Sequence, residues 1–155
     1  MSVGTIESSI GRELFMAPQT QDCSLGVAED LGIAVVTDDD SAVLAYVIER
    51  DDARTTEGVA VGDSVDRVRS VYGPDMAAPL TGTRSQTGGP VVVVRDLEDP
   101  QAMGNGSLHY AFDTDPQGSV TRIRSGFWPW VAYTDYCSAN AENPQRTGWP
   151  LTAGR

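Results

Sequence analysis

Apolar and polar positions change rhythm several times along this chain of 155 residues. Between Gly58 and Gly73 the rhythm is helical. Val65, Val68, Val71 and Tyr72 recur at i, i+3, i+6 and i+7, with Arg67 and Arg69 on the other side. Gly62 makes the entry turn, Asp63 or Ser64 is placed to accept the free amides of the first turn, and Gly73-Pro74 stops the helix. Ile6, Ile10 and Leu14 predict a shorter helix within residues 5–15, weakened by Gly11 and ended by Pro18.

Elsewhere the pattern is that of strands. Residues 33–37 and 42–49 are apolar or β-branched runs separated by Asp38-Asp39-Asp40-Ser41, which reads as a hairpin. Residues 91–94 are four valines, and 108–112 alternate. Their partner reads as 119–124, across a turn of Asp113, Thr114, Asp115, Pro116, Gln117 and Gly118. Arg122 and Arg124 suggest that this strand is partly exposed. A last strand is expected over Trp130 to Cys137, with Pro129 at its start, an edge or a bulge. Residues 19–22, 74–89 and 99–106 read as loops. Gly32–Ile48 and Gly106–Ile123 are similar hairpins with Asp-rich turns, each preceded by a helix, which suggests two helix-plus-hairpin units.

These elements predict an α+β domain over residues 1–137. Its antiparallel sheet of about five or six strands packs on one main helix, the 58–73 motif, with a short N-terminal helix beside it. Residues 138–155, with Pro144 and Pro150, read as a polar tail.

Composition narrows the function classes. A net charge of −11 disfavours nucleic acid, whose phosphates need a basic surface. No apolar run is long enough to span a bilayer. All 11 basic residues are Arg, a bias that resembles actinobacterial usage. Cys23 and Cys137 are either two thiols of a cytosolic protein or a disulfide worth roughly 4–5 kcal/mol in the chain-entropy model. The second alternative suits a secreted or envelope protein. Met1–Gly4 has neither a basic nor an apolar signal region, so the expectation is a leader already removed.

Candidate chemistry is sparse. His109 is the single histidine, and it points away from the face of Leu108, Tyr110 and Phe112. A hydrolase built on it would need a nucleophile and an orienting acid, and no Gly-x-Ser-x-Gly elbow exists. A solvent-facing strand residue is the simpler reading. Cys137 would have to be a free thiolate to pair with it. One His and two distant Cys do not make a zinc site. Asp113-x-Asp115-x-Gln117-Gly118 starts like a calcium loop but has Arg124 where the bidentate Glu belongs. No metal and no cofactor are therefore expected. The suggestive cluster is aromatic: Tyr110, Trp128, Trp130 and Tyr133 are the candidate binding residues, on an acidic protein where exposed Trp and Tyr suit recognition of another protein.

The run Val61-Gly62-Asp63-Ser64-x-x-x-Val68-x-x-x-Tyr72-Gly73 resembles the repeat start of the β-lactamase inhibitor protein and of SmpA/OmlA-type lipoproteins. With the hairpin residues Phe112, Asp115, Gly118, Val120 and Ile123 it is closer to secreted or lipid-anchored actinobacterial proteins. Asp63 stands where the inhibitor repeat has Met. The resemblance implies a helix-plus-sheet scaffold used for binding. The expected function is a non-catalytic secreted or envelope binding module. The alternatives are an inhibitor-like protein acting through an aromatic sheet face and a hydrolase using His109.

Overall fold

The computed structural model describes residues 1–95, 106–133 and 136–137, with only the backbone described at 81–83. The expected tail at 138–155 and most of the expected loop at 99–106 lie outside the described residues.

The described chain forms one eight-stranded antiparallel sheet with two short helices. Helix α1 spans Val3–Ile10, followed by β1 (Met16–Thr20), β2 (Cys23–Ala28), β3 (Ile33–Thr37) and β4 (Val43–Ile48). Helix α2 spans Val65–Tyr72, followed by β5 (Ala77–Arg84), β6 (Pro90–Val94), β7 (Leu108–Thr114) and β8 (Val120–Phe127). The strand order is β1-β2-β3-β4-β8-β7-β6-β5, so each half is a meander and the fourth strands meet in the middle.

This corrects the expectation of five or six strands packed on one main helix. The sequence pattern gives β5 and the end of β1 as loop and marks no strand at β2. β1 and β5 are the two edges of the sheet, and each contains a proline, Pro18 and Pro79. An edge tolerates the missing donor, and the same proline interrupts the sequence pattern of a strand. Of the expected strand at 130–137, the described residues 130–133 and 136–137 form no strand, and Trp130–Ala132 is a 3-10 turn after a cis Trp128–Pro129 bond. The N-terminal helix stops at Ile10 because Gly11 closes it in the left-handed conformation.

The two halves repeat each other residue by residue. Ser2-Val3-x-x-Ile6-x-x-x-Ile10-Gly11 matches Ser64-Val65-x-x-Val68-x-x-x-Tyr72-Gly73, and both serines cap their helix through the hydroxyl. Val43 N donates to Met1 O at 2.9 Å, and Val120 N donates to Asp63 O at 2.7 Å. Asp38 Oδ1 accepts from the amides of Asp40 and Ala42, and Asp115 Oδ1 accepts from those of Gln117 and Ser119. Even the register slip recurs, at Val36/Thr37 and at Asp113/Thr114. We call the halves unit 1 and unit 2. They join along the β4–β8 seam, where Ala45 faces Gly126 and Ile48 faces Ile123. A Cβ at 126 would overlap the backbone of Leu44 and Ala45, so the close approach of the seam requires glycine there.

Both helices lie on one face of the sheet. Under α2, Val68 and Tyr72 pack on Val92, Val94, Phe112 and Ile123. Under α1, Ile6 and Ile10 pack beside Ile33, Val35, Tyr46 and Ile48. The other face is covered by the C-terminal segment. Tyr136 and Cys137 pack on Ala34, Val36, Ala45 and Val47, and Val131 packs on Val91, Val93 and Ala111. No helix among the described residues is long and apolar enough to cross a membrane.

Candidate functional site

The site with the most chemistry lies on the face away from the helices, where β7 and β8 carry charges into the interior. Asp113, Arg122 and Arg124 fall on this face because they alternate with Phe112 and Ile123, which point to α2. Asp113 is 0% exposed, Arg122 0% and Arg124 1%, so these arginines are not partly exposed as the sequence pattern suggested. Arg124 grips Asp113 with two parallel bonds, Nε to Oδ1 at 3.0 Å and Nη2 to Oδ2 at 2.8 Å. Arg122 Nε reaches Glu49 Oε2 at 3.3 Å, and its Nη1 lies 3.7 Å from Asp113 Oδ2. Two positive and two negative side chains therefore balance.

This cluster holds up the turn above it. Arg124 Nη1 donates to the Tyr133 carbonyl at 2.6 Å, and its guanidinium lies 5.3 Å from the centre of the Tyr136 ring. Burial pushes the Tyr136 phenol above its ordinary range and pulls Arg122 below its own. Cys137, the next residue, is bonded to Cys23 in β2. The segment is thus fixed at three levels: an apolar peg at Val131, an ionic bracket at Arg124 and a covalent bond at Cys137.

What the turn presents is aromatic. Trp128, Trp130 and Tyr133 are each half-buried, and Trp130 and Tyr133 meet edge to face at 5.4 Å. Two of the four candidate binding residues, Trp130 and Tyr133, are therefore in contact, while Trp128 packs beside Val91, Val93 and His109 on the same face. Tyr110 is not among them. It lies on the opposite face under α2, with its ring 6.0 Å from that of Tyr72. The alternation that sends His109 to the non-helix face sends Tyr110 the other way.

His109 is buried rather than solvent-facing. Its Nδ1 donates to the Val94 carbonyl at 3.0 Å, and its Nε2 lies 2.7 Å from Ser107 Oγ. Trp128 sits edge-on to the ring at 5.8 Å. A serine, a histidine and an orienting acceptor are thus in line, although the acceptor is a backbone carbonyl and not an acid. Two amides near the serine are already engaged: Gly106 N donates to Trp128 O and Trp128 N donates to Ser107 O.

Sequence reasoning missed Ser107, Glu49 and the Asp113–Arg124 pair. The signal for the last was present, since opposite charges on facing strands of one hairpin mark a cross-strand pair. Among the described residues, no group of three or more His, Cys, Asp and Glu side chains is placed to hold a metal ion. Compared with family models, curated proteins and solved structures, the chain matches none.

Proposed function

We propose that this protein is a non-catalytic binding module of the extracellular or envelope space, and that the turn of Trp128, Trp130 and Tyr133 recognises another protein. The observation that carries this reading is the bracing of that turn. Aromatic side chains with few rotatable bonds make strong interface anchors, and a turn already fixed loses little further freedom on binding. Arg124, Val131 and the Cys23–Cys137 bond supply that fixation. The disulfide supports an oxidising compartment. The same turn would serve an inhibitor-like protein against an enzyme.

The experiment is affinity capture from the envelope and culture fluid of the native host, comparing the wild type with a Trp128→Ala, Trp130→Ala, Tyr133→Ala variant. A partner held by the wild type and lost by a variant of near-native fold supports the reading. Equal capture by both removes the aromatic turn as the recognition surface.

A second reading has one specific observation behind it, the 2.7 Å approach of Ser107 to His109. It makes the protein a hydrolase, and an activated ester tests it. Hydrolysis above background that Ser107→Ala abolishes would establish that reading and overturn the first.

A further inference from the structure

The internal repeat turns one half of the molecule into a control for the other. In unit 2, Tyr72 of α2 lies between Tyr110 and Phe112, with ring centres 6.0 and 6.1 Å away, and the helix closes tightly on the sheet. The matched positions in unit 1 are Ile10, Ile33 and Val35, as the shared caps, turns and register require. Three rings are replaced by three aliphatic side chains, while Tyr46 and Ile48 stand where unit 2 has Ile123 and Ser125, and α1 packs through Ile6 and Ile10 without filling the space beside them. An open groove of about 250 Å³ remains between α1 and strands β3 and β4. Its walls are Ile6, Ile10, Ile33, Ile48 and Tyr46, with Met1, Thr5 and Ser9 along the rim.

We infer that this groove is a binding site for a small neutral or cationic aromatic molecule of one or two fused rings. The size fits, because an engineered apolar cavity of about 150 Å³ lined by Leu, Ile and Phe takes up benzene. The chemistry fits as well. The equivalent seat in unit 2 is filled by aromatic rings, and Tyr46 offers unit 1 a ring edge to pack against. No lining side chain is charged, and a net charge of −11 turns anionic ligands away. The groove lies on the helix face, opposite the aromatic turn, so this inference is independent of the proposed function.

The test uses indole and the full chain. Four of the five isoleucines line the groove, so isoleucine methyl signals report it directly. Indole should shift the signals of Ile6, Ile10, Ile33 and Ile48 saturably, with a Kd of roughly 0.1–1 mM for a ligand of this size. Installing the unit 2 residues, Ile10→Tyr with Ile33→Tyr, should fill the groove and weaken binding at least about tenfold, a change of about 1.4 kcal/mol. Ser9→Trp, at an exposed position beside the groove, should block indole without touching the core, and it keeps the test decisive if the double variant does not fold. An absence of saturable shifts at several millimolar indole overturns the inference, as do shifts that persist undiminished in Ser9→Trp.

Discussion

Asp113 and Arg124 face each other as fork to fork inside the sheet, both essentially without solvent contact. The third donor of the same guanidinium holds the carbonyl of Tyr133. One ion pair thus connects two neighbouring strands to the segment that covers them.

Removing one member should be far worse than removing both. Asp113→Asn keeps the shape but strands Arg124 in a low-dielectric interior, while Arg122 keeps Glu49. The expected loss is about 3–5 kcal/mol, read from the urea midpoint. Pairing Asp113→Leu with Arg124→Met should recover much of it, because an apolar pair carries no uncompensated charge. A midpoint for Asp113→Asn equal to that of the wild type would show that the bracket holds nothing.

The duplicated turns predict matched and opposite effects. Asp38→Ala and Asp115→Ala each release two backbone amides and should each cost about 1–2 kcal/mol. Ser41 and Gly118 occupy the same turn position with φ of 65° and 82°. Ser41→Gly should therefore stabilise by up to about 1 kcal/mol, and Gly118→Ala should destabilise by about 1–2 kcal/mol. Thermal melts of the four variants check this, and a destabilised Ser41→Gly would contradict the argument.

Alkaline pH should weaken the fold through Tyr72 and Tyr136, whose phenols burial holds above the ordinary tyrosine range. For a group whose folded pKa is raised, the stabilising contribution is whole below the unfolded pKa, near 10, and is lost as pH rises toward the folded one. Stability measured from pH 8 to 11.5 should be level at first and fall above about pH 10. Tyr72→Phe should flatten part of that fall. It should also lower stability at neutral pH, because the phenol loses the proton it donates to Glu57 Oε1 at 2.9 Å and its 2.7 Å hydrogen bond with the Thr55 hydroxyl.

Reduction should cost about 4–5 kcal/mol, since the Cys23–Cys137 bond spans 114 residues of sequence. Thiol titration of denatured protein from its native host should find no free thiol before reduction and two after it. Two thiols from the outset would remove the support for an oxidising compartment.

The chain announced its helix and its inner hairpins plainly, because there the periodicity, the caps and the Asp turns agree. The sheet edges were hidden by Pro18 and Pro79, which interrupt a strand pattern and are tolerated in edge strands. The repeat was half visible. Reading the first helix over residues 5–15 instead of Val3–Ile10 shifted the comparison and concealed the match of Ser2, Val3 and Gly11 with Ser64, Val65 and Gly73. The aromatic turn was legible as a cluster. What secures it is not, because the sequence pattern places Asp113 in a turn and leaves Arg122 and Arg124 partly exposed. Only the register of β7 on β8, with the segment above it, makes their burial necessary. Tyr110 was misplaced for a simpler reason: adjacency in sequence does not survive the pleat of a strand.

Cys23 belongs to unit 1, and Cys137 follows unit 2, so their bond spans the β4–β8 seam and closes the two units into a covalent ring. Two similar units meeting through antiparallel strands are a geometry in which chains can trade halves, with β4 of one molecule receiving β8 of another. In the oxidised molecule each half is bound to its own counterpart, and such an exchange would have to break that bond first. The disulfide thus acts as a guarantee of monogamy between the halves as well as a brace for the aromatic turn.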